Sequence, residues 1–159
     1  MMQNILMNEK NMLDKNYQKV SFRLEKDEDG YPPADYEHLW AQEVNSGLML
    51  DNIPFFAYGV SWGDVVAVEP VNGLLMFTSV KEYSHHSTVR LLLRDPSEWE
   101  PVKEEIASLG CSGERSHLPR LVAVDIPPDV DIDAVRAYLS KGLSEERFEY
   151  EEGAVWWDE

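Results

Sequence analysis

The chain has 159 residues, 43% of them apolar, the size of one domain or two very small ones and enough to bury a core without disulfides or a structural metal. Its 30 acidic residues against 14 basic ones give a formal net charge of −16, which disfavours nucleic acid and anionic membranes as partners and leaves basic proteins, basic peptides and cations. The single cysteine, Cys111, can form no internal disulfide and supplies no thiolate zinc site, so a reducing, cytoplasmic setting is expected.

Residues 1–16 are rich in Met and Asn without clear periodicity, and a loose arm is expected there. Ile5-Leu6-Met7 is too short a hydrophobic run for a secretory core, and no run of about 18 apolar residues occurs anywhere, so neither export nor a spanning helix is predicted. Val20, Phe22 and Leu24 alternate with Ser21, Arg23 and Glu25, the period of a half-buried strand. Asp27-Glu28-Asp29-Gly30 forms an acidic turn, and Tyr31-Pro32-Pro33 is extended because residues before proline avoid the helical region. Ala34 to Val44 is predicted as a short helix with Leu39 and Trp40 toward the core.

Asn45-Ser46-Gly47 breaks that helix, and Leu48-Met49-Leu50 and Ile53-Pro54-Phe55-Phe56 read as two short strands about a turn at Asp51-Asn52. Residues 64–69 and 74–82 are rich in β-formers, with Pro70-Val71-Asn72-Gly73 supplying the turn of a hairpin. The short strands over 19–83 predict a small bent sheet or partial barrel. Thr88 to Arg94, with Leu91, Leu92 and Leu93 in succession, reads as a strand covered on both faces.

Asp95 caps a helix that opens on Pro96 and has Glu98 three residues after the cap; Trp99, Val102, Ile106 and Leu109 form its stripe and Gly110 its stop. Leu121 to Ile126 is an apolar strand closed by two prolines. Asp131 caps a second helix whose buried face is Ile132, Val135, Tyr138 and Leu139, with Gly142 near its end. A final strand or tight hairpin is expected around Phe148, Tyr150, Ala154 and Trp156. Strand, helix, strand, helix, strand over 88–157 is the order of a ferredoxin-like, split β-α-β unit. The expectation is therefore an α+β protein: an arm (1–16), a β-rich half with a short helix (17–87), and a ferredoxin-like half (88–159), packed as one compact unit.

Reaction chemistry is sparsely signalled. His85 and His86 are adjacent and on a strand would face opposite ways, so a metal site would require His38, His117 or carboxylates to converge. His86-Ser87 and Cys111-Ser112 lack a nucleophile elbow, and Cys111 after Gly110 reads as a small buried residue. Gly59 to Gly63 holds no lysine, so phosphate cradling is not expected. The spaced acids at Asp129, Asp131 and Asp133 serve capping and the helix dipole. No cofactor and no metal are predicted.

The placement of charge says more. Between Lys26 and Lys81 lie nine acids and no Lys or Arg, and the tail carries Glu145, Glu146, Glu149, Glu151, Glu152, Asp158 and Glu159 against Arg147 alone. This is either a solvated surface that aids solubility or a negative docking face with aromatic anchors.

The strings Gly30-Tyr31-Pro32-Pro33, Glu37-His38-Leu39-Trp40-Ala41, Asp51-Asn52-Ile53-Pro54-Phe55-Phe56-Ala57, Gly63-Asp64-Val65-Val66 and Thr88-Val89-Arg90 resemble the bacterial family known as domain of unknown function 4265, over roughly residues 18–152. The resemblance implies bacterial origin, cytoplasmic location and a small α+β domain, and supplies no catalytic residues. Small acidic bacterial domains of this kind resemble immunity proteins, an argument by analogy. The expected function is a non-catalytic acidic inhibitor, an immunity protein that blocks the active site of a cognate toxin acting on nucleic acid or nucleotides. Asp27, Glu28, Asp29, Asp35 and Glu37 would meet this basic partner, with Tyr31 and Tyr36 as anchors. The alternative is an enzyme or small-molecule sensor with a pocket between the halves, using His86, His117 or a buried carboxylate.

Overall fold

The computed structural model describes residues 16–157, so the expected arm lies, but for Asn16, outside the described residues. The chain is mostly β-sheet with two short helices, in two sheets. Strands β1 (Tyr17–Arg23), β2 (Tyr36–Val44), β3 (Gly47–Leu50), β4 (Val65–Val71) and β5 (Leu74–Glu82) form the first, and β1, pairing antiparallel with β2 and at Ser21↔Met76 in parallel with β5, closes it into a barrel. The second contains β6 (Ser87–Leu93), β7 (Ser112–Arg115), β8 (Leu121–Ile126) and β9 (Phe148–Ala154) in the order β7-β8-β6-β9, antiparallel throughout. Helix α1 (Trp99–Ser108) follows β6 and α2 (Ile132–Ser144) follows β8.

The chain divides into two compact units, Met1–Asn52 with Gly63–Ser84 and Ile53–Trp62 with His85–Glu159. This differs from the continuous halves expected at 17–87 and 88–159, because the segment 53–62 makes its contacts with the second unit.

The helix expected over 34–44 is instead β2. Glu37, Leu39 and Ala41 are buried on alternate residues, and β1 and β3 pair with the strand on either side. Helix propensity differs among these residues by only tenths of a kcal/mol, so tertiary pairing decides the outcome. Ile53–Phe56 is no strand either; its backbone groups are used by a side chain described below. In the β4–β5 hairpin the turn contracts to Asn72 and Gly73, both with positive φ, and Pro70 and Val71 extend β4.

The second unit's core consists of Val89, Leu91 and Leu93 of β6, Val122, Val124 and Ile126 of β8, Trp99, Val102 and Ile106 of α1, Val135 and Leu139 of α2, and Phe148 of β9. Leu92, expected to be covered, is 40% exposed, because β6 alternates and its opposite face is only partly sheltered. Asp95 accepts a hydrogen bond from the Ser97 amide and opens a single 3-10 turn (Pro96–Glu98) before α1, and Asp131 accepts one from the Ala134 amide at the start of α2. Gly142 lets α2 approach β9, since a Cβ there would lie 2.0 Å from Phe148 Cζ. Edge strand β7 has no sequence signal: Ser-Gly-Glu-Arg is poor in strand formers.

Candidate functional site

The acidic turn leaves β1 and returns to β2. Asp27 organises it: its Oδ1 accepts from the amides of Asp29 at 2.9 Å and Tyr31 at 3.0 Å, and its backbone exchanges bonds with Gly30 and Tyr31. The Asp35 C=O accepts from the Leu24 amide at 2.9 Å, and the Asp35 carboxylate pairs with Lys26 at 3.1 Å. Asp27, Glu28, Asp29 and Asp35 are all exposed, and Tyr31 is 43% exposed. Tyr36 is half-buried, with the Arg23 guanidinium 5.6 Å above its ring. Glu37 leaves the predicted set: β2 turns it inward and it is 8% exposed, so it cannot meet a partner. Asp27, Glu28, Asp29, Tyr31 and Asp35 lie on this loop, and Tyr36 begins the strand that follows it.

A second concentration of polar groups lies in the second unit, where the sequence shows little. Arg90, 1% exposed on β6, donates from Nη1 to the Ala57 carbonyl at 2.8 Å, from Nη2 to the Phe56 carbonyl at 3.2 Å, and from Nε to Glu151 Oε1 at 3.1 Å. Tyr58 stacks on the guanidinium at 4.8 Å and donates its hydroxyl to Glu151 at 2.7 Å. The guanidinium fork therefore fastens the segment 53–62 to β6 and β9. Gly153 makes room for it, since a Cβ there would lie 2.4 Å from Nη1.

Just before β6, His86 Nδ1 lies 3.0 Å from both carboxylate oxygens of Asp125 on β8, and the Trp62 ring tilts over the imidazole at 5.0 Å. Burial raises the Asp125 pKa, and the hydrogen bond and charge of His86 offset only part of that. His85 turns away at φ +64° and packs on Trp156 at 4.5 Å, while His117 is exposed and His38 shares a 2.7 Å bond with the Ser21 hydroxyl. Among the described residues no three His, Cys, Asp or Glu side chains are grouped to hold a metal ion. Cys111 is buried, its thiol pushed up to about 11 by desolvation and then by Asp125.

A groove of about 410 Å³ runs along α1 and α2, lined by Glu105, Leu109, Tyr138, Lys141 and Arg147 among others. Arg147 bridges Glu98 at 3.1 Å and Glu105 at 2.9 Å, and Tyr138 donates to Glu105 at 2.7 Å. Burial would raise the Glu105 pKa, but Arg147 and Tyr138 outweigh it and the pKa falls. These groups satisfy one another, and the groove does not include His86 or Asp125.

With both sheets and these networks in place, the molecule is an α+β protein of two small units. A model of the family described as "Domain of unknown function (DUF4265)" matches residues 37–150, and the chain belongs to that family. No curated protein matches the chain. Among solved structures, one titled "Novel crystal structure of a hypothetical protein from Neisseria gonorrhoeae" is similar with a TM-score of 0.72 and 18% identity, over 89% of this chain and 96% of that one. That likeness concerns the fold.

The strings that carried the family resemblance have structural employment. Asn52 Oδ1 accepts from the Trp40 amide at 2.7 Å, Asp64 Oδ1 accepts from the amide and hydroxyl of Ser84 at 2.8 and 2.9 Å, and Arg90 holds Phe56 and Ala57. Arg90 and Asp125 are the residues that sequence reasoning missed as site candidates; a charged residue inside an otherwise apolar strand, as in Thr88–Leu93 and Leu121–Ile126, was the available signal.

Proposed function

We propose that this protein is a non-catalytic acidic inhibitor that docks on a basic protein, as an immunity protein docks on a toxin acting on nucleic acid or nucleotides. The observation that supports this most directly is the turn built on Asp27: Glu28, Asp29 and Asp35 are exposed beside Tyr31 on a loop whose backbone is hydrogen-bonded into one shape. Fixed negative charge with an aromatic neighbour accelerates association with a cationic cleft and costs little ordering entropy. The units are read as a small barrel carrying this turn and a ferredoxin-like scaffold; the β7-β8-β6-β9 order with α1 and α2 as connections supports the latter.

Co-expression with the product of the neighbouring reading frame tests the proposal. The chain should relieve that product's toxicity and form a one-to-one complex, and the triple variant Glu28→Lys, Asp29→Lys, Asp35→Lys should slow association about tenfold at low salt. Unrelieved toxicity without a complex, or an on-rate indifferent to the triple change, would refute it.

The His86–Asp125 pair favours a second reading, an enzyme or sensor in which the buried carboxylate orients the imidazole as a proton acceptor. The groove beside α1 and α2 is lined by neither residue, so it supplies no substrate site for this reading. Ligand-induced stabilisation or turnover lost in His86→Gln would promote it over the first.

A further inference from the structure

The two edges of the second sheet differ in length and charge. Edge β7 has four residues and includes both Glu114 and Arg115. Edge β9 has seven, and no other strand pairs with its outer side among the described residues. The Arg94 amide donates to the Arg147 carbonyl at 2.9 Å, and the register continues as Leu92↔Glu149 and Arg90↔Glu151. Antiparallel alternation therefore turns the backbone N–H and C=O groups of Phe148, Tyr150 and Glu152 away from β6.

These outward groups form a template for another extended chain, bounded beyond Glu152 by the Gly59 amide, which donates to the Gly153 carbonyl at 2.9 Å. Glu149 and Glu152 flank the row, exposed and without an ion pair among the described residues, while Glu151 is already engaged by Arg90 and Tyr58. A second copy of this chain is a poor occupant, because two β9 edges would bring Glu149, Glu151 and Glu152 of each against the other. Alternating lysines or arginines on an incoming strand project to one face, where they would instead meet the carboxylate of Glu149 or, with the strand turned over, that of Glu152.

We propose that the outer edge of β9 binds an extended basic segment of a partner protein by strand addition, through the backbone of Phe148, Tyr150 and Glu152 and the carboxylate of Glu149 on one face or of Glu152 on the other. This rests on the proposed function only in taking the partner to be basic. The probe is a synthetic octapeptide alternating lysine with valine or threonine, with a control of equal charge carrying two central prolines.

Amide exchange by NMR reads the result residue by residue. In the free protein the Phe148, Tyr150 and Glu152 amides should exchange at least tenfold faster than those of Glu149 and Glu151. The alternating peptide should slow the first three at least tenfold and the proline control should not. Glu152→Pro removes one outward donor and none of the bonds to β6, and should weaken peptide binding several-fold. Edge amides that are already protected, that ignore the peptide, or that respond equally to the proline control would overturn the assignment. Glu28→Lys, Asp29→Lys, Asp35→Lys should retain the edge response. A peptide response confined to residues 27–35 would reject the edge and spare the acidic-turn docking, whereas no response at either place would reject both.

Discussion

In the turn between β1 and β2, Glu28, Asp29 and Asp35 stand in solvent, whereas Arg90 and Asp125 in the second sheet are 1% and 6% exposed. The same chemical groups do opposite work in the two regions. A buried charge must have its bonding satisfied on the spot, so Arg90 takes two carbonyls and a carboxylate at hydrogen-bond distance and thereby locates the segment 53–62. An exposed carboxylate contributes little to folding because water and salt screen it, and it remains available to another molecule.

Five variants break or sharpen that contrast. The largest effect is expected at Arg90: Arg90→Met strands the Phe56 and Ala57 carbonyls and the bonds that held them, and should cost about 3 kcal/mol, roughly 10 °C in Tm. An unchanged melting curve would show that the segment is held by other means. Gly153→Ala attacks the same site indirectly, placing a methyl 2.4 Å from Nη1, and should cost about 1–3 kcal/mol in urea denaturation. A neutral result there would mean that the guanidinium can move aside.

Titration of the buried groups comes next. The Cys111 thiol is pushed up to about 11 from 9.0, so the folded chain keeps a proton that the unfolded chain loses. The associated stability is present below the unfolded value and lost as pH rises from 9.0 toward about 11. Stability of the wild type should therefore fall more steeply than that of Cys111→Ala across this window, and the thiol should react with a disulfide reagent at pH 8 only on unfolding. Asp125 shifts in the same direction, so its contribution is likewise lost as pH rises through its folded value. Asp125→Asn should thus gain in Tm relative to wild type as pH rises from the ordinary carboxylate value of 3.8 through the raised one.

The smallest stability effect belongs to the acidic turn. Glu28→Lys, Asp29→Lys, Asp35→Lys should change unfolding free energy by about 1 kcal/mol or less, while altering the salt dependence of partner association. A large loss of stability would erase the distinction between the two regions.

Local chemistry explains what the amino-acid order alone determined. Asp95-Pro96 and Asp131 start the helical segments, Asn72-Gly73 turns the hairpin, and the apolar run Leu121–Ile126 makes a buried strand. Each depends on residues within a few positions of one another, and the family is recognisable from other strings as short, such as Gly30-Tyr31-Pro32-Pro33 and Gly63-Asp64-Val65-Val66. The single cysteine and the surplus of acids likewise needed no coordinates.

Tertiary structure decided the rest because the deciding contacts are remote in the chain. Tyr36–Val44 can be read as a helix until β1 and β3 pair with it on either side. Glu37 looks like its acidic neighbours until the strand turns it inward. Arg90 meets Ala57 across 33 positions and Glu151 across 61, and His86 meets Asp125 across 39. Burial is a property of the assembled sheet, so which charges become structural pins and which stay free for a partner was settled only when the strands came together.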